Sequence, residues 1–236
     1  WMQARREGKA FHWDGLSATL KDVVQSSALG DGASRQWVER DFKRWDVQGQ
    51  DRSSLRRVMD YIGGLKAPKY PLPVDTTLVT VGEPVYRQHC AECHDPGGKR
   101  FSTVIPLEEI GTDRNRLDMW TPASADAYNA YGDGYSWKFS GFRKTNGYTS
   151  VPLDGIWLTG PYLHNGSVPT LADLLEPVEQ RPKQFWRGLD LFDAQKVGFV
   201  SDSDEAKRSG TLLDVSRQGN GNAGHTSGTT LTADEK

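Results

Sequence analysis

The sequence has 236 residues, 29 basic and 31 acidic side chains, a formal net charge of −2 and a hydrophobic fraction of 36%. This is a globular, rather polar composition, and a near-neutral charge lacks the basic field a phosphate backbone requires, so a nucleic-acid partner is excluded. No run approaches the roughly 18 apolar residues of a spanning helix, so no transmembrane segment is expected, and the chain is long enough to build a core without disulfide staples.

The chain opens on Trp1 rather than Met, and the stretch to Gly15 carries no targeting pattern. The expectation is that it starts after processing or inside a longer protein. Ser34 is placed to cap a helix in which Val38, Phe42 and Trp45 share one face; Leu55, Val58, Met59, Ile62 and Leu65 make a second apolar stripe, and that second helix is expected to end at Gly63-Gly64. The Pro-rich stretch 66–73 cannot continue a helix and reads as an extended linker, with a domain boundary near residue 74. Gly82-Glu-Pro84 is expected to open a short helix running into Cys90, with Pro84 near its first turn. Thr170 caps another short helix through Leu174 and Leu175, stopped by Pro177. From about 201 the chain turns to Ser, Gly, Asn and Thr and reads as loop. No strand pattern is long enough to defend. Thr232 and Glu235 have capping-box spacing just before the last residue, so a further helix is expected beyond Lys236.

Both cysteines of the chain lie in Cys90-Ala-Glu-Cys93-His94, the attachment sequence for a c-type haem. Two thiols on one helical turn can form thioethers to one porphyrin while the adjoining imidazole reaches the iron from the same side. A disulfide or dithiol redox pair needs only the Cys spacing, and a zinc site needs further thiolates or imidazoles that the sequence does not place nearby. One covalent haem c with His94 as proximal ligand is therefore the expected cofactor. The sixth ligand decides between a carrier and an open, reactive iron. The candidates are Met119, His164 and His225, with His12 as an outsider; His89 is read as solvent-facing or hydrogen-bonded. His225 sits in Gly219-Asn-Gly-Asn-Ala-Gly-His225, a loop so poor in apolar residues that its order must come from something it binds.

Taken together, these stretches resemble the dihaem cytochrome c peroxidase superfamily, and within it the haem-dependent rubber oxygenase-like branch. Phe11-His-Trp13-Asp-Gly15 is similar to the element between the two haems, where the resemblance gives Trp13 a coupling role. Asp60–Leu65 and the Pro-rich linker look like the end of a first haem domain, Gly82–His94 like the entry to a second, and Leu153–Leu171 like the segment packed beside the second haem. The resemblance implies a mainly α fold: a cytochrome c-like haem domain with long irregular loops over 74–236, preceded by a partial helical domain, the remnant of a first cytochrome-like domain, over 1–73. The first haem motif is absent, and the region Leu175–Val178 supplies no Met ligand of the peroxidase kind. The oxygenase-like branch implies a second imidazole from the C-terminal part, which favours His225 as sixth ligand, then His164. The expected function is single-electron transfer to another haem domain or redox protein. The alternatives are the electron-transfer half of a dihaem peroxidase or oxygenase, and a structural haem in an assembly. Haem c attachment implies a periplasmic or extracellular bacterial location.

Overall fold

The computed structural model describes residues 10–45 and 52–236. Residues 1–9, on which the reading of a missing targeting pattern partly rests, lie outside them. Helices follow in chain order as α1 (Leu20–Gly30), α2 (Arg35–Phe42), α3 (Ser54–Gly64), α4 (Thr76–His89), α5 (Ala91–His94), α6 (Leu107–Ile110), α7 (Asn115–Met119), α8 (Pro122–Ala130), α9 (Leu171–Leu175) and α10 (Asp204–Ser209). Strands are β1 (Val104–Pro106), β2 (Gly147–Thr149), β3 (Gln184–Arg187), β4 (Phe192–Asp193), β5 (Gly198–Phe199) and β6 (Thr211–Asp214), pairing as β1-β2, β3-β6 and β4-β5.

The expected mainly α fold is corrected by this architecture, which is 36% helix and 11% strand in small two-stranded sheets. In the antiparallel β3-β6 pair, Gln184 stands opposite Asp214 and Arg187 opposite Thr211. Strands of two to four residues are too short to write a period of two into the sequence. The region from 201 likewise carries α10 and β6 before it becomes irregular.

The chain divides into two compact units. The first comprises Trp1–Ala67, Ser102–Ile105 and Leu117–Pro152; the second comprises Pro68–Phe101, Pro106–Arg116 and Leu153–Lys236. In the first unit, Val24 of α1, Val38 of α2 and Leu55 of α3 close on Trp137, Phe139 and Phe142. The Trp137 and Phe139 rings meet edge-on at 5.2 Å, and Phe139 and Phe142 at 5.0 Å. Full burial of such side chains is worth about 1.5–3 kcal/mol each. Ser34 caps α2 as expected, accepting from the Trp37 amide. Asp41, buried at the end of α2, accepts from the Ser53 hydroxyl at 2.6 Å and from the Ser54 and Leu55 amides at 2.7 and 3.0 Å, satisfying free donors at the start of α3.

In the second unit the Pro-rich stretch is extended, and its Pro68 carbonyl accepts from the Trp157 indole at 3.2 Å. Tyr70, Trp157, Phe192 and Phe199 form a chain of edge-on ring contacts between 5.6 and 6.2 Å. The helix leading to the Cys pair differs from expectation. It begins at Thr76, where the Asp75 carboxylate caps it through the Thr77 and Leu78 amides, and Pro84 lies in its interior. The run Thr76–Val81, β-branched at every position but Leu78, has modest helix propensity, which hides the start, but the Asp cap and the fourteen-residue length outweigh it. Thr170 caps α9 as expected, accepting from the Asp173 amide. Among the described residues no helix is long and apolar enough to cross a membrane.

Candidate haem site

The Cys–His motif forms a tight turn after α4. The amides of Cys93 and His94 both donate to the Cys90 carbonyl, at 3.2 and 3.1 Å, so both thiols and the imidazole issue from one helical turn. The chain then folds back, and the Arg100 amide donates to the Glu92 carbonyl at 3.0 Å. Gly98 is required in this return, because a Cβ there would stand 2.3 Å from the Glu92 carbonyl oxygen. Arg100 donates to Glu109 through both terminal guanidinium nitrogens, Nη1 and Nη2, tying the return to α6.

Both cysteines are free thiols, neither fully buried nor fully exposed. Burial pushes the Cys90 thiol up, and neighbouring Cys93 adds to the shift. Burial raises Cys93 as well, with Arg100 opposing it. A reactive redox dithiol needs the opposite, a thiol pulled down toward neutrality, so this environment does not suit one. Among the described residues no group of three His, Cys, Asp or Glu is arranged to hold a metal ion.

The ring that meets His94 is that of His225, with centroids 6.1 Å apart and planes inclined by 45°. Two imidazoles on opposite sides of one metal, each bonded at about 2 Å, place their centroids about 6 Å apart. The Nδ1 atom of His225 is shut off from solvent and has no hydrogen-bond partner. Burial, followed by the neighbouring His94, pushes the His225 imidazolium down to about 4, so at neutral pH the ring is in the uncharged form that binds a metal. Two thiols on one turn and two facing imidazoles are a donor set that fits a c-type haem.

The loop bearing His225 takes its order from the protein's own side chains. Asn165 donates to the carbonyls of Gly219 and Gly221 at 3.0 and 2.9 Å, and the Ser167 hydroxyl donates to Gly221 at 3.0 Å. Asn222 donates to the Pro182 carbonyl at 2.9 Å, and the His225 amide to that of Ile110 at 2.7 Å. Gly224, at φ +76°, lies so close to the chain at Gly111 that a Cβ would stand 2.3 Å from the Gly111 carbonyl carbon. Arg181, 1% exposed, donates to Asn222, Gly224 and His225 carbonyls. Neither Arg181 nor Asn165 is signalled by the sequence: an Arg between a Pro-rich turn and a strand ordinarily reads as surface.

Residues 153–171, singled out in the sequence, prove to be the brace for this loop. Tyr162 and Val168 exchange backbone hydrogen bonds across a turn whose apex holds His164 and Asn165. The Tyr162 hydroxyl lies 3.2 and 3.0 Å from the carbonyls of Ile156 and Val197, and burial pushes its phenol up to about 12. His164 is thus on the element that positions the His225 loop. Met119 and Trp13 belong to the first unit, 73% and 42% exposed, and so does His12. The Trp13 carbonyl accepts from the Thr149 amide at 2.7 Å.

The comparison with known families marks the chain as carrying a cytochrome c-like, haem-binding segment. Residues 147–187 match the RoxA-like, cytochrome c-like family, a stretch that takes in the Tyr162–Val168 turn and Arg181. The match speaks for the rubber oxygenase-like haem branch of the resemblance. Two proteins of Sinorhizobium fredii (strain NBRC 101917 / NGR234) are similar over most of the chain. Uncharacterized protein y4iM is 33% identical over 211 residues, 76% of this chain and 47% of that protein. Uncharacterized protein y4iJ is 31% identical over 221 residues, 69% of this chain and 37% of that protein. The chain therefore spans less than half the length of either relative.

Proposed function

We propose that the chain is a c-type electron-transfer module holding one covalent haem between His94 and His225. The observation that carries this reading is the 6.1 Å ring separation of those two imidazoles, above a turn that presents both thiols. Cys90 and Cys93 would anchor the group, His94 would hold it from the anchored side, and neutral His225 would hold it from the other. The haem supplies a one-electron ferric–ferrous couple when bound. Held by His94 and His225 together, the group would offer small oxidants no open site, and two imidazoles would set a lower potential than an imidazole and a Met. His164 stays on the supporting turn rather than on the iron. In a longer protein of the relatives' kind, the electron partner is another haem domain or a separate redox protein, and Trp13 is an exposed aromatic suited to that contact. Thioether attachment implies maturation outside the bacterial cytoplasmic membrane, hence a periplasmic or extracellular site.

The test is the optical spectrum of the haem-loaded chain. The native protein should be low-spin and unresponsive to carbon monoxide when reduced, and His225→Ala should be high-spin with the haem still attached. A low-spin spectrum that survives His225→Ala would refute the assignment and direct the same substitution to His164. Replacing both Cys90 and Cys93 by Ser should let acidified organic solvent extract the haem; retention would refute the thioether anchor.

A further inference from the structure

A guanidinium has five N–H donors, and all five of Arg181 are used on main-chain carbonyls. Nε donates to Glu176 at 3.2 Å, Nη1 to Asn222 at 2.7 Å and to Gly224 at 2.8 Å, and Nη2 to Leu174 at 3.0 Å and to His225 at 3.2 Å. Among the described residues no carboxylate is hydrogen-bonded to the guanidinium, and burial outweighs the influence of Glu179 on it. Burying a cation is expensive, and an apolar side chain of similar volume would serve plain stability as well or better. The arrangement is explained by what it holds. Three of the five bonds fall on the last residues before and at His225, in a loop with almost no apolar side chain of its own. The His225 peptide is gripped on both sides: its carbonyl by Arg181, its amide by the Ile110 carbonyl at 2.7 Å.

Resting on the bis-imidazole reading above, we infer that Arg181 is a positioning residue for the distal ligand: its planar fork fixes the backbone at 222–225 so that the His225 ring faces His94. A Lys could not replace it, because an ammonium is a point charge with three donors that cannot span carbonyls from both α9 and the 222–225 loop at once. The clamp substitutes for the hydrophobic contacts that would normally order such a segment.

The experiment compares Arg181→Gln, Arg181→Lys and His225→Ala in the haem-loaded chain. Both Arg181 variants should keep the haem covalently attached but show a mixture of low-spin and high-spin iron, which added imidazole returns to low-spin. Hydrogen exchange at the His225 amide should accelerate about tenfold or more, as expected when several hydrogen bonds are lost together, while amides of the first unit stay protected. Two Arg181 variants with the full native low-spin spectrum and native exchange at His225 would overturn the inference. A uniform rise in exchange over the whole chain would also overturn it, since it would mark a general structural role. Should Arg181→Gln fail to fold, Arg181→Lys, which keeps the charge, decides the matter by the same readouts. His225→Ala separates the two readings. If it leaves the iron low-spin, the ligand assignment fails; if it is high-spin while both Arg181 variants are native, only the clamp fails.

Discussion

Replacing Gly224 by Ala perturbs the distal loop at its tightest point. The backbone there has φ +76°, and the added Cβ would lie 2.3 Å from the Gly111 carbonyl carbon and 2.4 Å from both the Ile110 oxygen and the Thr112 nitrogen. The left-handed conformation alone costs an L-residue about 1–2 kcal/mol. The three clashing atoms are all backbone, so the two segments must part, which sacrifices the His225–Ile110 bond and the Arg181–Gly224 bond. With about 1 kcal/mol for the neutral bond and about 1.5–3 for the charged one added to the conformational part, the total loss is about 3.5–6 kcal/mol. Gly219→Ala is the internal control: φ is +85° there, but the nearest atom to a new Cβ is the Asn115 Cβ at 3.9 Å. It should cost only the conformational part, about 1–2 kcal/mol. Guanidinium chloride unfolding of both variants, with the iron spin state recorded in parallel, checks the difference. Gly224→Ala within about 1 kcal/mol of Gly219→Ala and still fully low-spin would refute the claim that this close approach sets the position of His225.

In the first unit, Asp41→Asn should lower the unfolding free energy by about 2–3 kcal/mol, since an amide offers one acceptor oxygen where the carboxylate receives three donors on two; a denaturant series showing less than about 1 kcal/mol would remove Asp41 as the support of the Ser53 cap and first amides of α3. Tyr162→Phe should cost about 1 kcal/mol through the hydroxyl lost from the Ile156 and Val197 carbonyls. It should also change the alkaline limb. The folded chain keeps the phenol protonated up to about 12, whereas an unfolded Tyr ionises near 10. Between those values the folded state binds more protons, so stability falls as pH rises through the window. Unfolding measured from pH 9 to 11.5 should show that slope in the native protein and a weaker one in Tyr162→Phe; equal slopes would contradict the buried assignment.

Local chemistry was the legible part of the molecule. Ser34 and Thr170 cap α2 and α9 as their positions suggest, because a cap depends on a few neighbouring atoms. The Cys90–His94 turn and the extended Pro-rich stretch are legible for the same reason. The loop at 219–225 marked itself by lacking apolar residues, but the source of its order was misplaced: it comes from Arg181, Asn165, Ser167 and Asn222, not from a ligand alone. Those partners are brought in from distant positions by the turn at 162–168, and no spacing rule connects them. The strands were invisible because β4 and β5 have only two residues each. The early start of α4 was masked by β-branched residues whose local preference the Asp75 cap overrides.

The site is assembled from pieces that close on very different scales. The anchor needs only five consecutive residues, whereas His225 must return from the far end of the chain, and loop closure of that length has an entropic cost met only once the brace is built. On the proposed reading, Cys90 and Cys93 would be able to take up the haem before the brace that carries His225 is built. Until that brace is in place, the imidazoles of His12, His89 and His164 would be as accessible to the group as that of His225. The brace around the distal loop, rather than the anchor, would then be the step on which the choice of His225 depends.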